Sequence, residues 1–506
     1  MTDDLLDTRG GRLLVSVAAA VAGLAGSYAL SGYTPTFVVS PVERALTRAM
    51  PGIVVSTAIS TLGSLGQQLN LLLAVCLTGL LVALAARAAI LTGQAANNRL
   101  VPAVGTAALT WGVAVVLTGE SVLAAGPAVA AAAVVALAQT LDSFGGPVAP
   151  ISSKRRRALS TTGVALGAAL LGYAAGERRS PRTADDDAPS LPTASADVAD
   201  IQRKLAIAED ASLDLGDIDP LVSERFYEVD INSIDPDLDA GTWSLSITGA
   251  VEEEITVDYE EIQSMAAENR FETLRCVGEQ LNGYKMDTAL WTGVPIEPLL
   301  DEAGVQSGCD CVMLRADDDY FEEFPIEALR RGMLAYGMNG KVLPRGHGYP
   351  VRALVPGHWG EINVKWLTEI EVLEREADGY WERRGWHGTG PVIPVAKLHY
   401  ESLLDDGRRR VGGHAYAGLR GVERVEVSTD GGETWADATL SDPLPAADGE
   451  GRAGDAWRQW EYTYDPPAGG HTLVVRMVDR DDGVQPEAEA DPYPNGPSGW
   501  VSKRYA

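Results

Sequence analysis

The sequence predicts three parts: an α-helical membrane anchor of about five helices, an α+β domain, and an all-β sandwich of immunoglobulin-like character. Three observations predict this. Up to about residue 176 the chain is rich in Ala, Val, Leu and Gly and nearly free of charge. Beyond it the sequence turns acidic and is punctuated by Pro and Gly. Its last hundred or so residues alternate short apolar and polar runs between Gly-rich turns. With 506 residues the chain has room for about three domains of ~150 residues each. The expected boundaries are 1–176 for the anchor, 177–219 for an acidic linker, 220–394 for the α+β domain and 395–506 for the sandwich.

In the anchor, apolar runs span Leu13 to Leu30, Leu69 to Ala86, Val101 to Leu117, Val122 to Leu141 and Ala158 to Ala175. Most approach the ~20 residues that a lipid bilayer core requires. Their Ala and Gly content suits close helix packing. Basic residues set the orientation. Arg9 and Arg12 precede the first run, Arg87 and Arg99 lie in the loop after the second, and Lys154-Arg155-Arg156-Arg157 precedes the fifth. With all three clusters in the cytoplasm, five crossings put everything after about Gly176 outside. Arg44 and Arg48, in the first external loop, are a counter-signal. SKRRRALSTTGVALGAALLGYAAG admits two readings: a twin-arginine-type export signal placed internally, or a positive-inside anchor.

The net charge of -29 lies mostly on the second part of the chain. Such a surface repels nucleic acid and resembles the surfaces of proteins from high-salt organisms, pointing to a haloarchaeal source. The six histidines, His347, His358, His387, His399, His414 and His471, all lie outside the apolar runs. A membrane b-type haem needs axial His, so no haem is expected, and electrons would pass to a separate carrier or membrane redox partner.

From Glu177 to about Asp219, Pro181, Asp185-Asp186-Asp187, Pro189 and Pro192 make a segment too polar and Pro-broken to build a core. A short helix is expected at Ala196 to Glu209, N-capped by Ser195. From 220 to 394, alternating runs such as Trp243 to Ile247, Phe271 to Arg275, Cys311 to Arg315 and Val351 to Val355 read as strands, and Tyr259 to Ala267 and Ile296 to Ala303 as helices. A mixed sheet with α+β packing follows. The GxGxxG dinucleotide fingerprint and the Walker phosphate loop are absent.

Of the four cysteines, Cys76 lies in an apolar run, and a bridge between Cys309 and Cys311 is strained by their single-residue separation. Cys276 stands differently. It ends an alternating strand and enters a loop with Gly278, Asn282 and Gly283. A thiol so placed can bind a metal or attack a substrate; it can equally be a small buried hydrophobe.

LRCVGE with WTGVPI and LL downstream, LAYGMNGKVLPRGHGYPVRALVPG and GEINVKWLTEIEV together resemble the sulfite oxidase family of molybdopterin enzymes. The resemblance covers about 220 to 500. It implies a molybdenum–molybdopterin cofactor whose metal takes one protein thiolate, at Cys276, a soft ligand suited to it. Arg275 would lower the thiol pKa if its side chain turns inward, or supply charge for a substrate. Phe226 and Tyr227 open the first cofactor-contacting segment. Asp318 stands in the family's Asp-Gly-Tyr turn. Arg352 offers a planar fork to the pterin phosphate, His347 a donor, Lys365 a charge, and Asn363 with the backbone at Val364 further donors.

One segment departs from the family. Val229, Asp230 and Ile231 stand where sulfite-oxidising members carry Arg, Asn and His after Phe-Tyr-x. With that positive charge gone, sulfite is disfavoured, and Phe226-Tyr227-Glu228 is closer to the branch that reduces sulfoxides. At the C-terminus, VEVSTDGGETW, WRQWEY and HTLVVRMVD resemble the dimerisation domain that follows in this family. The expected protein is therefore a multi-pass membrane oxidoreductase, catalytic side outside, transferring an oxygen atom to or from a small oxo-substrate, with a homodimer formed through its last domain. The alternatives are a metal-free pterin-binding sensor and a structural surface protein of the same fold.

Overall fold

A computed structural model of the chain describes residues 6, 8–62, 64–140, 153–180, 188–191, 197–448 and 451–505. These fall into two compact units. The chain opens with α1 (Arg9–Ser31), α2 (Ser40–Ala49), α3 (Gly52–Leu62), α4 (Ser64–Ala95), α5 (Val101–Thr118), α6 (Ala125–Thr140), α7 (Ser153–Glu177) and α8 (Val198–Ala211). All but α3 and α8 belong to the first unit, together with Asp230–Asp237.

In that unit α1 packs on α4, α6 and α7. Small residues make the packing close. A Cβ on Gly26 would stand 2.5 Å from the Gly126 carbonyl oxygen, and one on Gly172 would stand 2.5 Å from that of Ala25. Leu69, Leu72, Leu80 and Leu84 of α4 point outward. Three helices are long and apolar enough to cross a membrane, Arg9–Ser31, Leu65–Ala95 and Val101–Thr118, whereas Ala125–Thr140 is shorter. The fifth expected run falls in α7, whose first turn carries the Lys-Arg cluster. Two details differ from expectation. Arg87 lies inside α4 rather than in a loop, and Arg44 and Arg48 sit on the short helix α2. Leu141, the expected end of the fourth run, lies outside the described residues.

In the second unit α8 is capped by Asp197, whose side chain accepts the Asp200 N–H at 3.0 Å. Ser195, Pro181, Asp185, Asp186, Asp187 and Pro192 lie outside the described residues. Far from standing clear of the core, α8 buries Ile201 and Ala208 in it, because apolar residues recur along one face of the helix. Its Lys204 is fully buried and donates to the carbonyls of Asn269 and Ala447.

The α+β region runs β1 (Ser244–Gly249), β2 (Ile255–Asp258), α9 (Tyr259–Ser264), β3 (Glu268–Arg275), β4 (Met286–Pro295), α10 (Glu297–Ala303), β5 (Cys311–Ala316), β6 (Phe321–Pro325), α11 (Ile326–Arg330), β7 (Met333–Met338), β8 (Lys341–Val342), β9 (Arg352–Leu354) and β10 (Leu367–Val372). One sheet has the order β2-β1-β10-β5-β6, with β1 and β10 parallel. The other is antiparallel, β3-β4-β7-β8, with β9 beside β7. β3 and β4 are buried along most of their length, so neither shows the half-wet alternation of a surface strand. Cys309 and Cys311 are bridged, contrary to the expectation from their spacing. Asp310 between them takes a positive φ of 57°, and the resulting Cα–Cα distance of 5.2 Å is within ordinary disulfide reach.

The C-terminal region is β-rich: β11 (Val395–Ala396), β12 (Tyr400–Leu403), β13 (Arg409–Tyr416), β14 (Val422–Ser428), β15 (Ala436–Asp437), β16 (Thr439–Leu440), β17 (Arg458–Tyr464), β18 (His471–Asp479) and β19 (Val501–Tyr505). Sheets β11-β13-β17-β16 and β15-β14-β18-β19 enclose Val411, Val425, Trp460, Val475 and Met477.

Candidate active site

Cys276 is the first residue beyond β3. Its N–H donates to the Lys285 carbonyl at 2.9 Å, which closes residues 276–285 into a lobe between β3 and β4. Glu279 holds the lobe from inside. One of its oxygens accepts the Arg275 Nε–H at 2.9 Å and the other the Lys285 N–H at 2.9 Å, while Lys397 Nζ reaches both at 2.7 and 2.8 Å. Asn282 ties the lobe to Leu398 through both ends of its side-chain amide. Burial pushes the Cys276 thiol up; Lys285 pulls it down and Glu279 opposes that pull.

Arg275 turns inward and interacts with the Cys276 thiolate, but its hydrogen bonds go elsewhere. Its guanidinium is fully buried, donates to Glu279 and to the Ile393 carbonyl, and lies 4.8 Å from the centroid of the Trp359 ring. Lys285 is the cation that lowers the thiol most.

A second wall comes from residues 223–228. Asp287 of β4 accepts the Ser223 hydroxyl and the Tyr227 N–H, both at 2.8 Å. Phe226 is thereby set edge-on to Trp291 and to His347, with centroids 5.3 and 5.5 Å apart. Tyr227 turns toward Cys276. Burial raises its phenol, and the neighbouring thiol adds to the rise. A Cβ on Gly360 would stand 2.9 Å from the Tyr227 hydroxyl and 3.3 Å from the Arg275 carbonyl oxygen, so only glycine lets the 360–362 turn pass this close.

The third wall is the turn at Arg345–His347, followed by β9. Gly348 has φ 109°, and a Cβ there would meet Lys365 Cβ at 2.9 Å and Arg352 Cβ at 3.1 Å. Arg352, buried, donates to the carbonyls of His347 at 3.1 Å and Asn363 at 2.8 Å. Lys365 Nζ donates to Gly346 O at 2.7 Å. His347 is buried, with Glu228 Oε1 3.7 Å from its Nε2.

Phe226, Tyr227, Cys276, His347, Arg352, Asn363 and Lys365 thus join through successive contacts. The side chains of three residues serve other contacts. Asn363 lends its backbone, but its side chain accepts the Val355 N–H and donates to Trp359 O, so it holds its own loop instead of offering donors. The Val364 side chain is core. Asp318 is buried in the β5–β6 turn, where it accepts the Tyr320 N–H at 3.0 Å. Sequence reasoning missed Glu279, Lys285, Lys397, Trp359 and Glu361. Glu279 and Glu361 stood within the quoted motifs; Lys397 carried no local signal.

Among the described residues no three His, Cys, Asp or Glu side chains form a metal site of their own. The donor set suits one soft thiolate completing the coordination of a metal that arrives already chelated. Arg352, His347 and Lys365 group donors suited to a phosphate and to amide edges. The residues present fit molybdopterin.

Residues 232–381 match the family described as oxidoreductase molybdopterin binding domain, and residues 395–493 match the Mo-co oxidoreductase dimerisation domain. Human mitochondrial sulfite oxidase is 29% identical over 308 residues, covering 50% of this chain and 55% of that protein. Tomato (Solanum lycopersicum) nitrate reductase [NADH] is 27% identical over 263 residues, covering 40% and 29%. The crystal structure of the sulfane dehydrogenase SoxCD from Paracoccus pantotrophus aligns with a TM-score of 0.44 at 20% identity, covering 58% of this chain and 87% of that one. The chain spans about half the length of the first curated relatives it matches, 55%. Residues 232–381 and 395–493 are therefore a molybdopterin-binding domain and a dimerisation domain of the kind found in molybdopterin oxidoreductases, similar to those of sulfite oxidase.

Proposed function

We propose that this chain is a membrane-anchored, molybdenum-dependent oxidoreductase that transfers one oxygen atom and two electrons to or from a small oxo-substrate. The observation that carries the reading is the half-buried Cys276 thiol, held at the head of a clamped lobe and joined through Tyr227 and Phe226 to the His347, Arg352 and Lys365 patch. When bound, the molybdenum–pterin group supplies the two-electron couple. The chain supplies the rest. Cys276 anchors the metal, while Arg352, His347 and Lys365 hold the phosphate and pterin edges. Phe226 and Trp291 exclude water. The Tyr227 hydroxyl, beside Cys276, orients a substrate oxygen by donating to it.

The charge near Cys276 favours a neutral substrate, such as an organic sulfoxide or an N-oxide, over a sulfite-like dianion. Arg275 is committed to Glu279, and Glu361 adds negative charge within reach of the thiol. Five crossings, three from the long apolar helices and two from α6 and α7, would place the catalytic part outside the cytoplasm; the basic clusters at Arg9, Arg12, Arg99 and 154–157 support that side. The β-rich region is read as an immunoglobulin-like sandwich through which two copies pair, and electrons leave or enter through a separate carrier. The acidic composition fits a haloarchaeal source.

The test is metal analysis of full-length protein made in a molybdenum-replete host, with wild type and Cys276→Ser side by side. Stoichiometric molybdenum in wild type and its loss in the variant are expected. Absence from wild type, or equal content in both, refutes the reading. A dye-linked screen of sulfoxides, N-oxides, sulfite and nitrate then ranks the substrates.

A further inference from the structure

Oxygen-atom transfer has a proton balance. Substrate plus water gives the oxygenated product, two protons and two electrons; the reverse direction takes both protons up. The electrons go to or come from a one-electron carrier used twice. The protons must pass walls built from Phe226, Trp291 and Trp359, each buried.

Three interacting carboxyl groups come from three different segments near that site. Glu361 follows Gly360, the glycine that packs against Tyr227 and the Arg275 carbonyl beside Cys276. Its own carbonyl accepts the Tyr320 hydroxyl at 2.8 Å. Glu322 of β6 is fully buried, accepts a long contact, 3.4 Å, from the Trp381 N–H, and has the Tyr320 hydroxyl beside it. Glu382 comes from the turn Glu382–Arg384. Glu322 Oε1 and Glu382 Oε2 converge on one point: a Cβ on Gly379 would stand 2.1 Å from the first and 2.5 Å from the second. The Gly388 N–H lies against the Glu361 carboxylate and the Tyr320 hydroxyl beside Glu322, but among the described residues the Glu382 carboxylate oxygens, shut off from solvent, meet no N–H or O–H donor. Beyond Glu382 opens a cavity of ≈ 710 Å³, lined also by Asp310, Glu323, Glu376, Asp378 and the Cys309–Cys311 bridge.

Three buried carboxylates with so few donors cannot all be ionised side by side. Some must hold protons, and those protons become the missing donors. Burial and the other two glutamates raise Glu322 well above the carboxylate range, and burial with Glu382 brings Glu361 to about 8. The charged and titratable groups facing them are Tyr320 from the β5–β6 turn, Cys276 from the lobe and Glu323 from β6. A cation held by the three carboxylates is the other way to relieve the repulsion, but they do not form a metal site.

We propose that Glu361, Glu322 and Glu382 form a proton path between the Cys276 pocket and the acidic cavity. It rests on the reading of the chain as an oxygen-transfer enzyme. A proton enters at Glu382, is shared with Glu322, and reaches Glu361 with the Tyr320 hydroxyl alongside; in the oxidative direction it leaves by the same groups. The chain changes no covalent bond along the way except O–H.

Full-length protein carrying Glu382→Gln and, separately, Glu361→Gln tests this. Infrared difference spectra on the protein without substrate should show a protonated carboxyl band at neutral pH that shrinks in both variants. With substrate, kcat should fall at least about 10-fold in Glu382→Gln. KM and molybdenum content should stay at the wild-type level. Added formic acid, a small diffusible proton carrier, should restore turnover in Glu382→Gln, a rescue that a structural defect would not allow. Absence of the band at neutral pH overturns the path whether or not molybdenum is bound. Unchanged kcat in both variants, or no rescue by formic acid, overturns it as well. A protein with the band but no molybdenum sinks the function reading and with it the path's role in turnover, while the shared protons stand.

Discussion

Lys397 and Glu279 form a buried ion pair across 118 residues of chain, with Nζ 2.7 and 2.8 Å from the two carboxylate oxygens and both side chains 1% exposed. Glu279 sits three residues beyond Cys276, and Lys397 follows directly on β11 of the β-rich region. The pair therefore couples the position of the thiol lobe to the region behind it. Replacing Lys397 by Met leaves a buried carboxylate with only Arg275 and the Lys285 N–H. We expect a loss of about 3–5 kcal/mol in urea unfolding of the full-length protein. Adding Glu279→Gln to Lys397→Met should recover part of that loss. A double variant no more stable than the single one would show that the pair is not the source of the cost.

Glu272 gives stability a pH dependence of definite sign. It is fully buried on β3, and burial raises its pKa to about 7 despite Arg270 and Arg352 nearby. In the unfolded chain it titrates near ~4.3. Between these values the folded state holds a proton that the unfolded state has released. The stabilisation is therefore complete below ~4.3 and is lost as pH rises toward 7, by roughly 1.4 kcal/mol per unit and about 4 kcal/mol in all. Asp287, raised by burial to about 7, acts in the same direction. Urea titrations at several pH values should give a flatter profile for Glu272→Gln than for wild type. An unchanged slope would assign the effect to other groups.

Arg352 uses two nitrogens on two carbonyls, His347 O and Asn363 O, and lies 5.3 Å from the Trp291 ring centroid. Lys at this position keeps the charge but cannot span both carbonyls with a planar fork. Arg352→Lys should retain the fold and lose pterin, with at least about 10-fold weaker retention. Pterin fluorescence after acid release and oxidation, per mole of protein, measures this directly. Equal fluorescence in wild type and variant would remove Arg352 from the binding patch.

Much of this was legible in the sequence, for different reasons in different places. Cys276 was marked by its position at the end of an alternating run and by HGYPVR and NVKWL downstream. The long apolar helices followed from hydropathy alone. For Arg275 the sequence left open whether the side chain turns inward, because β3 is buried along most of its length and shows no wet face to read. Asn363 misled because its motif position says nothing about which groups its amide serves. Lys397 and Glu279 were illegible in another way: each reads as an ordinary solvated charge until the fold brings them together. α2 and α3 escaped notice because one is charged and the other is only 11 residues long.

Charge balance leads to the last prediction. Against 41 Lys and Arg the chain has 70 Asp and Glu, a net charge of -29. Salt acts on this in two opposing ways. It weakens exposed ion pairs such as Arg408–Asp406, whose partners are each about half exposed, but such pairs contribute roughly 0–1 kcal/mol. It also screens repulsion among the excess carboxylates, including Asp310, Glu323, Glu376 and Asp378 around one cavity. Going from ~0.1 to ~1 M KCl shortens the screening length from ~10 to ~3 Å. With so large an excess of one sign the repulsive part dominates. The unfolding midpoint of the full-length protein should rise by about 5 °C or more over that range, equivalent to roughly 2 kcal/mol. A midpoint that falls with salt would mean that the ion pairs, not the excess charge, control stability.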